Sequence, residues 1–339
     1  MNKRYLVTGG TGFIGRSLVK ALVERGDKVR SFDDDSRGTK ALLKDIDVEF
    51  ITADIRDLDA VKKATKDIDC VCHLAYINGT STFYEKPIPI LDIAVTGMMN
   101  VLNACIENNV PELSIASSPE AYQNADKVPT DETVALSVPN PLNPRYSYGG
   151  GKIISELLVL NYGRNYFEKV TVFRPHSVYG PNMGSAHVIP QLVSRIIPLL
   201  NGPEIIRLPI QGSGAETRSF CHIDDAVNGT LVAMDKGEHL NIYHVGSEEE
   251  VTIETLAKKI GKVFNRELEI VPSELAWGSP VRRCPDITKL KALGFKPEVA
   301  LNEGLRHYVS SIDEIELPTF RGSSLSTANQ VSSFITSMG

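Results

Sequence analysis

Short apolar runs alternate with amphipathic stretches through the first half of the chain. Tyr5-Leu6-Val7 has the length and composition of a strand. Phe13–Arg25 places Ile14, Leu18, Ala21 and Leu22 on one helical face. The alternation continues with strands at Lys28–Phe32 and Val48–Ile51, a helix at Asp57–Thr65, and a strand at Asp69–His73. A long helix over Ile88–Glu107 and a strand at Leu113–Ser117 follow, then a helix over 147–166 and a strand at Val170–Phe173. Strands alternating with helices of this size predict βαβ units and a parallel sheet. The fold class expected is α/β: a Rossmann-type doubly wound parallel sheet whose ligand lies at the carboxyl ends of the strands.

Beyond Arg174 prolines and glycines become frequent and the elements shorten. This predicts a first domain over 1–174 and a smaller α/β lobe over 175–315. Asn241–Val245 is expected to return to the large sheet. The segment 316–339 is rich in Ser and Thr with weak periodicity, and reads as an appended tail.

Composition narrows the classes. The 339 residues carry a net charge of −6 and no long basic run, which argues against a general nucleic-acid binder. The chain has no unbroken apolar run of 18 residues, so no membrane span is expected. The five cysteines are scattered and odd in number. They read as reduced thiols in a cytoplasmic protein rather than a disulfide framework. His73, His176, His187 and His222 fit no ligand spacing, so no metal is expected.

Candidate chemistry begins directly after the first strand. Thr8-Gly9-Gly10-Thr11-Gly12-Phe13-Ile14-Gly15 contains the spacing Gly10-x-Gly12-x-x-Gly15 and opens the first helix. Gly10 is read as the tight turn. Gly12 is read as the point where a pyrophosphate approaches the backbone, and Gly15 as the close contact between helix and sheet. The helix N-terminus supplies free N–H groups for the anion. Asp33, at the end of the second strand, can accept both ribose hydroxyls of adenosine and would repel a 2′-phosphate. That favours NAD over NADP, with Arg37 as the opposing signal. Asp34 and Asp35 read as solvated loop charge. Asp54 and Ile55 could hold the adenine edge, or the region could simply cap the next helix.

Tyr148 and Lys152 stand at i and i+4, on one face of a helix. Such a pair can do general acid/base work on a sugar or alcohol hydroxyl, because a neighbouring ammonium favours phenolate. Gly149-Gly150-Gly151 between them is costly in a helix interior, and suggests close approach by a bound ligand. Ser118 could donate to the oxygen that Tyr148 deprotonates. Glu120 could be a second base. Helix capping for Ser118 and a surface charge for Glu120 are the simpler alternatives.

Taken together, the glycine loop, Asp33, Asp54-Ile-Arg-Asp57, His73-Leu74-Ala75, Ser118, Tyr148-x-x-x-Lys152 and Arg174-Pro-His-Ser-Val-Tyr-Gly-Pro181 resemble the extended short-chain dehydrogenase/reductases. Within them the chain is similar to the NAD-dependent nucleotide-sugar epimerase/dehydratase family. The resemblance implies NAD on a set comprising Gly9, Gly12, Phe13, Ile14, Gly15, Asp33, Asp54, Ile55, Leu74, Ala75, Tyr148 and Lys152. It implies Tyr148 as the base at the C4 hydroxyl of an NDP-sugar, Ser118 on the C4 oxygen, and Lys152 on the nicotinamide ribose. It further implies substrate contacts from Ser177, His187, Val188, Arg218, and either Arg282 or Arg283. Finally, it implies a homodimer built on a four-helix bundle from the helices near 88–107 and 147–166.

The chain departs from the family pattern in four places. Ser177 stands where the family has Asn. The three glycines replace Ala and Ser. Tyr122-Gln123 replaces Tyr-Gly, and Pro119-Glu120 replaces the Asp-Glu pair of sugar 4,6-dehydratases. Glu120 resembles the acid of GDP-mannose dehydratases and UDP-glucuronate decarboxylases, and Arg282-Arg283-x-Pro-Asp286-Ile also resembles those decarboxylases. A 4-epimerase is favoured, with a dehydratase, decarboxylase or C5-epimerase using Glu120 as the alternative. A non-catalytic NAD-binding regulator is the alternative from another class.

Overall fold

A computed structural model describes residues 2–275 and 278–315. The Ser/Thr-rich segment 316–339 lies outside the described residues. The predicted alternation is present. Strands β1 (Arg4–Thr8), β2 (Lys28–Asp33), β3 (Glu49–Thr52), β4 (Cys70–His73), β5 (Glu112–Ala116) and β6 (Lys169–Pro175) form a parallel sheet with Asn241–Val245 as its seventh strand. The order runs from Asn241–Val245 through β6, β5, β4, β1 and β2 to β3. The reversal of direction at β1 places a crevice beside the loop that follows it.

Helices cover both faces. Helix α1 (Phe13–Glu24) buries Leu18 and Leu22 of the predicted face, with Ile14 and Ala21 partly buried beside them, and also Val19, which lay outside that face. The helix Ile223–Lys236 shares that core through Ala226, Val227 and Met234, joined by Leu290 and Phe295. Residues beyond 175 therefore build one face of the large sheet as well as its last strand. Its partner layer is sequence-distant, which is why the amphipathic pattern of α1 alone did not reveal it. On the opposite face, α2 (Leu58–Thr65), Pro87–Glu107 and Tyr146–Tyr166 bury Val61, Met98, Val101, Leu102 and Val159. A third core around Ile189, Leu192, Leu208, Ile210, Leu256, Ile260 and Leu305 belongs to the second half of the chain.

Pro87–Glu107 matches the predicted long helix to within one residue and contains a π-helical turn over Ile93–Gly97. By length and composition it could cross a bilayer, which qualifies the expectation drawn from inspection of the sequence. Half of its most apolar window is buried inside the fold. Ser155 Oγ donates to the Ala94 carbonyl within the π turn (3.2 Å), tying this helix to Tyr146–Tyr166.

Buried between that helix and the sheet, Arg174 forms a two-pronged ion pair with Glu156 (2.8 and 2.5 Å). Arg174 also donates to the Tyr122 hydroxyl, which lies 2.7 Å from His244 Nε2.

Candidate active site

A cleft of about 420 Å³ opens at the carboxyl ends of β1, β2, β4 and β5. Gly9, rather than Gly10, takes the left-handed backbone conformation of the turn (φ +71°). A Cβ there would lie 2.7 Å from the Ala75 nitrogen. Gly10 is required for packing, since a Cβ would meet the Ser31 hydroxyl. Gly15 packs against the Gly9 carbonyl with no room for a Cβ, as its place in the spacing predicts. Gly12 caps α1 without a side-chain hydrogen bond, and the first turn holds no acid. The leading N–H groups of α1 thus face the cleft ready for a phosphate.

Asp33 lines the same cleft, its two carboxylate oxygens accepting from Thr11 N and Asp35 N (both 3.0 Å). Each oxygen keeps a lone pair for a ribose hydroxyl. Phe13, Ile14, Ile55, Leu74 and Ala75 complete this end. Asp54 lines it too, but its carboxylate is engaged by Arg56 (2.5 Å), which holds it below the usual carboxylate range. Arg56 continues to Asp92 (2.9 Å), so the Asp54 side chain serves an ion-pair chain rather than a free adenine contact. Asp57 caps α2, accepting from Ala60 N (3.1 Å). Asp34 accepts from Ser36 on the exposed loop.

At the other end, Ser118, Glu120, Tyr148 and Lys152 are brought together, and all four line the cleft. Ser118 lies just past β5 and accepts from Glu120 N (3.2 Å), so its capping role and its place in the site coexist. Burial pushes the Tyr148 phenol up to about 12, opposed by hydrogen bonding to Ser118 and by the charges of Arg37 and Arg283. The Lys152 ammonium donates to the Ala116 carbonyl (2.7 Å). Burial pushes it down to about 7, with Glu156 opposing. His73 sits beneath, bonded to Thr8 Oγ1 (2.7 Å) and pushed down to about 3 by burial and the Lys152 charge.

The glycine run has a cause other than the one its sequence suggests. A Cβ at Gly149 would lie 2.5 Å from the Glu120 carbonyl and against Gln123. One at Gly151 would collide with the Tyr76 hydroxyl and lie 2.8 Å from Ala94 Cβ. Protein atoms, not ligand approach, demand those two glycines. Gln123 itself adopts φ +55°, the conformation a glycine would supply at lower cost.

Glu120 is not a surface charge. Its carboxylate bridges Arg283 (2.8 Å) and Arg145 (3.4 Å). Arg283, Arg145 and Arg218 hold it below the usual carboxylate range although burial alone would raise it. The choice between the adjacent arginines is clear. Arg283 lines the cleft, whereas Arg282 is exposed and paired with Glu250 (2.7 Å). Ser177 and His187 line the cleft. Val188 and Arg218 do not. Arg218 donates to the Pro280 carbonyl (2.7 Å), and its charge, pushed down to about 10 by burial and by Arg283, sits behind Glu120. Among the described residues no group of three His, Cys, Asp or Glu could hold a metal ion.

Sequence reasoning missed Arg145, Tyr76 and Phe83. Arg145 carried a signal: a cation at a helix N-terminus opposes the dipole and needs a local anion, here Glu120. Tyr76 and Phe83 carried none, because what they touch is set by the tertiary fold.

Comparisons with known proteins agree with this geometry. Residues 5–246 match the NAD dependent epimerase/dehydratase family. The chain is 31% identical to the UDP-N-acetyl-alpha-D-glucosaminuronate decarboxylase of Bacillus cytotoxicus, over 93% of this chain and 99% of the relative. It is 32% identical to a putative UDP-glucose 4-epimerase of Methanocaldococcus jannaschii, over 90% and 97%. Among solved structures it is similar to the UDP-glucose 4-epimerase of Thermotoga maritima with UDP-glucose (29% identity, TM-score 0.81, covering 92% and 99%). It is also similar to the dTDP-glucose 4,6-dehydratase of Streptomyces venezuelae with NAD bound (26%, 0.82, covering 92% and 97%). The uncapped N-terminus of α1, the side-chain-free cradle of Gly9 and Gly15, and the Asp33 carboxylate fit NAD. The chain belongs to the NAD-dependent epimerase/dehydratase family of nucleotide-sugar enzymes.

Proposed function

We propose that this enzyme is a nucleotide-sugar 4-epimerase. NAD, when bound, supplies the hydride acceptor for C4. Tyr148 takes the C4 hydroxyl proton, assisted by the Lys152 ammonium, and Ser118 hydrogen-bonds the C4 oxygen. Tyr148 would hand the proton back to the C4 oxygen when C4 is re-reduced from its other face, which would leave C4 inverted. Arg283 and His187 face the diphosphate, and Ser177 the sugar–diphosphate link. An Arg fork suits phosphate oxygens.

The observation that carries this reading is the state of Glu120. Elimination or C5 inversion needs a base near C5. The only carboxylate beside the Tyr148–Lys152 pair among the described cleft residues is tied to two guanidiniums and held ionised. A base with a lowered pKa and both oxygens engaged is a weak one. Inversion at C4 needs none.

A second reading has its own support: three arginines surround one carboxylate. That excess positive charge suits a sugar bearing a C6 carboxylate, and the Bacillus cytotoxicus relative is named as a uronate decarboxylase. Loss of CO₂ from a 4-keto uronate needs no base, because the ketone accepts the electron pair.

The test is incubation with UDP-glucose, UDP-N-acetylglucosamine, dTDP-glucose and the corresponding UDP-uronates, followed by NMR. C4-inverted product is expected. CO₂ and a pentose would replace it with the second reading. No turnover of any NDP-sugar would overturn both.

Two features bear on assembly and setting. Ile88, Leu91 and Val95 on one helix, and Ile154 and Leu157 on the other, are exposed apolar side chains at i, i+3, i+4 spacings. They support a homodimer through these helices. Five buried free cysteines suit a reducing, cytoplasmic setting.

A further inference from the structure

The Tyr148–Lys152 pair sits in an aromatic enclosure that neither helical spacing nor capping accounts for. The Lys152 ammonium lies 3.7 Å from the centroid of the Tyr76 ring. The same ring meets Tyr148 edge to face, with centroids 5.1 Å apart at 86°. Phe83 stacks on the other side of Tyr148 at 4.5 Å. Tyr76 lines the cleft, but its hydroxyl points away into the gap left by Gly151, where it is buried without a hydrogen-bond partner. The helix thus forgoes a side chain at Gly151 to admit the phenol. The π turn brings Ala94 to the same spot, closing the ring in.

We propose that Tyr76 is a positioning residue for the acid/base pair, its ring face holding the Lys152 ammonium and its edge-to-face contact seating the Tyr148 phenol. The proposal deepens the proton-transfer reading above and rests on it for its catalytic meaning. The physics is local. Lys152 is 5% exposed and has one hydrogen-bond acceptor, the Ala116 carbonyl. The other charged or titratable groups around it are Glu156, four residues on, Tyr148, whose ring centroid is 5.9 Å from the ammonium, and neutral His73 below. A desolvated ammonium over an aromatic face is stabilised by the ring quadrupole. Tyr76 therefore offsets part of the burial that pushes Lys152 down. A Lys152 that stays charged keeps Tyr148 ionisable, against the opposing charge of Glu120 and with the help of Ser118, Arg37 and Arg283.

Replacing the ring electronics without changing its shape tests this. Three forms are compared with the parent: Tyr76→Phe, pentafluorophenylalanine at position 76, and Tyr76→Met. Each is checked for folding by thermal melting. The readout is the Lys152 pKa by NMR of ¹³C-lysine, assigned with Lys152→Met. Alongside it, kcat and KM with UDP-glucose are measured across pH.

Tyr76→Phe keeps the π face and should leave the Lys152 pKa unchanged. The pentafluoro ring reverses the quadrupole and should lower that pKa by about one unit, with Tyr76→Met in between. At neutral pH the pentafluoro form should lose about tenfold in kcat, with KM within about twofold. An unchanged Lys152 pKa in the pentafluoro form would overturn the proposal. The pentafluoro side chain preserves shape, so the decision does not depend on the Met variant folding. If Tyr148→Phe keeps full activity, the proton-transfer reading fails while the Lys152 titration still reports on Tyr76 alone.

Discussion

Chemistry at the residue scale turns on two side chains whose surroundings set their roles. Tyr148 loses its hydroxyl but keeps its ring packing against Tyr76 and Phe83 in Tyr148→Phe. That variant is expected to fold and bind NAD, with kcat reduced by about 10² to 10⁴. Steady-state turnover and calorimetry check both halves. Glu120 differs in kind, because it neutralises Arg145 and Arg283. Glu120→Gln keeps hydrogen bonding but leaves the buried Arg145 and the part-buried Arg283 without an anion. It should lower the melting temperature clearly while kcat for C4 inversion stays within about tenfold, since breaking a buried pair costs about 3–5 kcal/mol. Solvent deuterium at C5 or C6 of a product that keeps all six sugar carbons would instead make Glu120 a base, whereas a decarboxylated pentose takes up deuterium at C5 without one.

Elements matter through how closely they approach. The loop from β1 into α1 works because the Gly9 carbonyl and Gly15 occupy space that a methyl group would need. Gly15→Ala is expected to push α1 away from the loop and reduce NAD affinity at least tenfold by calorimetry, a displacement that catalytic residues elsewhere would not cause. The sequence spacing identified this loop and its helix correctly, but it assigned the turn to Gly10. The need for glycine at position 9 follows from where β1 and β4 end, because Ala75, just past β4, occupies the space a Cβ there would need. The same limit applies to Gly149 and Gly151, whose neighbours come from the Ser118–Gln123 turn, Tyr76 and the π turn.

For the whole molecule, the buried Arg174–Glu156 pair joins the sheet to the helix that carries Tyr148 and Lys152. Arg174→Met strands the Glu156 carboxylate and should cost about 3–5 kcal/mol in denaturant titration. The double variant Arg174→Met/Glu156→Leu should recover most of that loss, because no buried charge is left unpaired. Lys152 adds a pH dependence. Its ammonium is pushed down to about 7 in the folded chain, from an ordinary value of 10.5. Between those values the unfolded chain binds the proton and the folded chain does not, so this group makes stability rise with pH. The slope approaches about 1.4 kcal/mol per pH unit. Comparing melting at pH 7 and pH 9 for the parent and Lys152→Met should show the rise only in the parent.

What the sequence alone determined was set by near neighbours along the chain. Periodicity found the sheet and its flanking helices. The Gly10-x-Gly12-x-x-Gly15 spacing with Asp33 found the dinucleotide end. The i, i+4 relation put Tyr148 and Lys152 on one helix face. These features are local because hydrogen-bond geometry within a helix or turn reaches only a few residues. Only the tertiary structure decided that Arg283 rather than Arg282 enters the cleft, since two adjacent residues on the short strand Arg282–Arg283 point to opposite sides. It alone brought Arg145 and Arg283, separated by most of the second half of the chain, onto Glu120. The same is true of Tyr76 over Lys152. Charge pairing and aromatic packing act through space at contact distance, and contact between distant segments is a property of the folded chain.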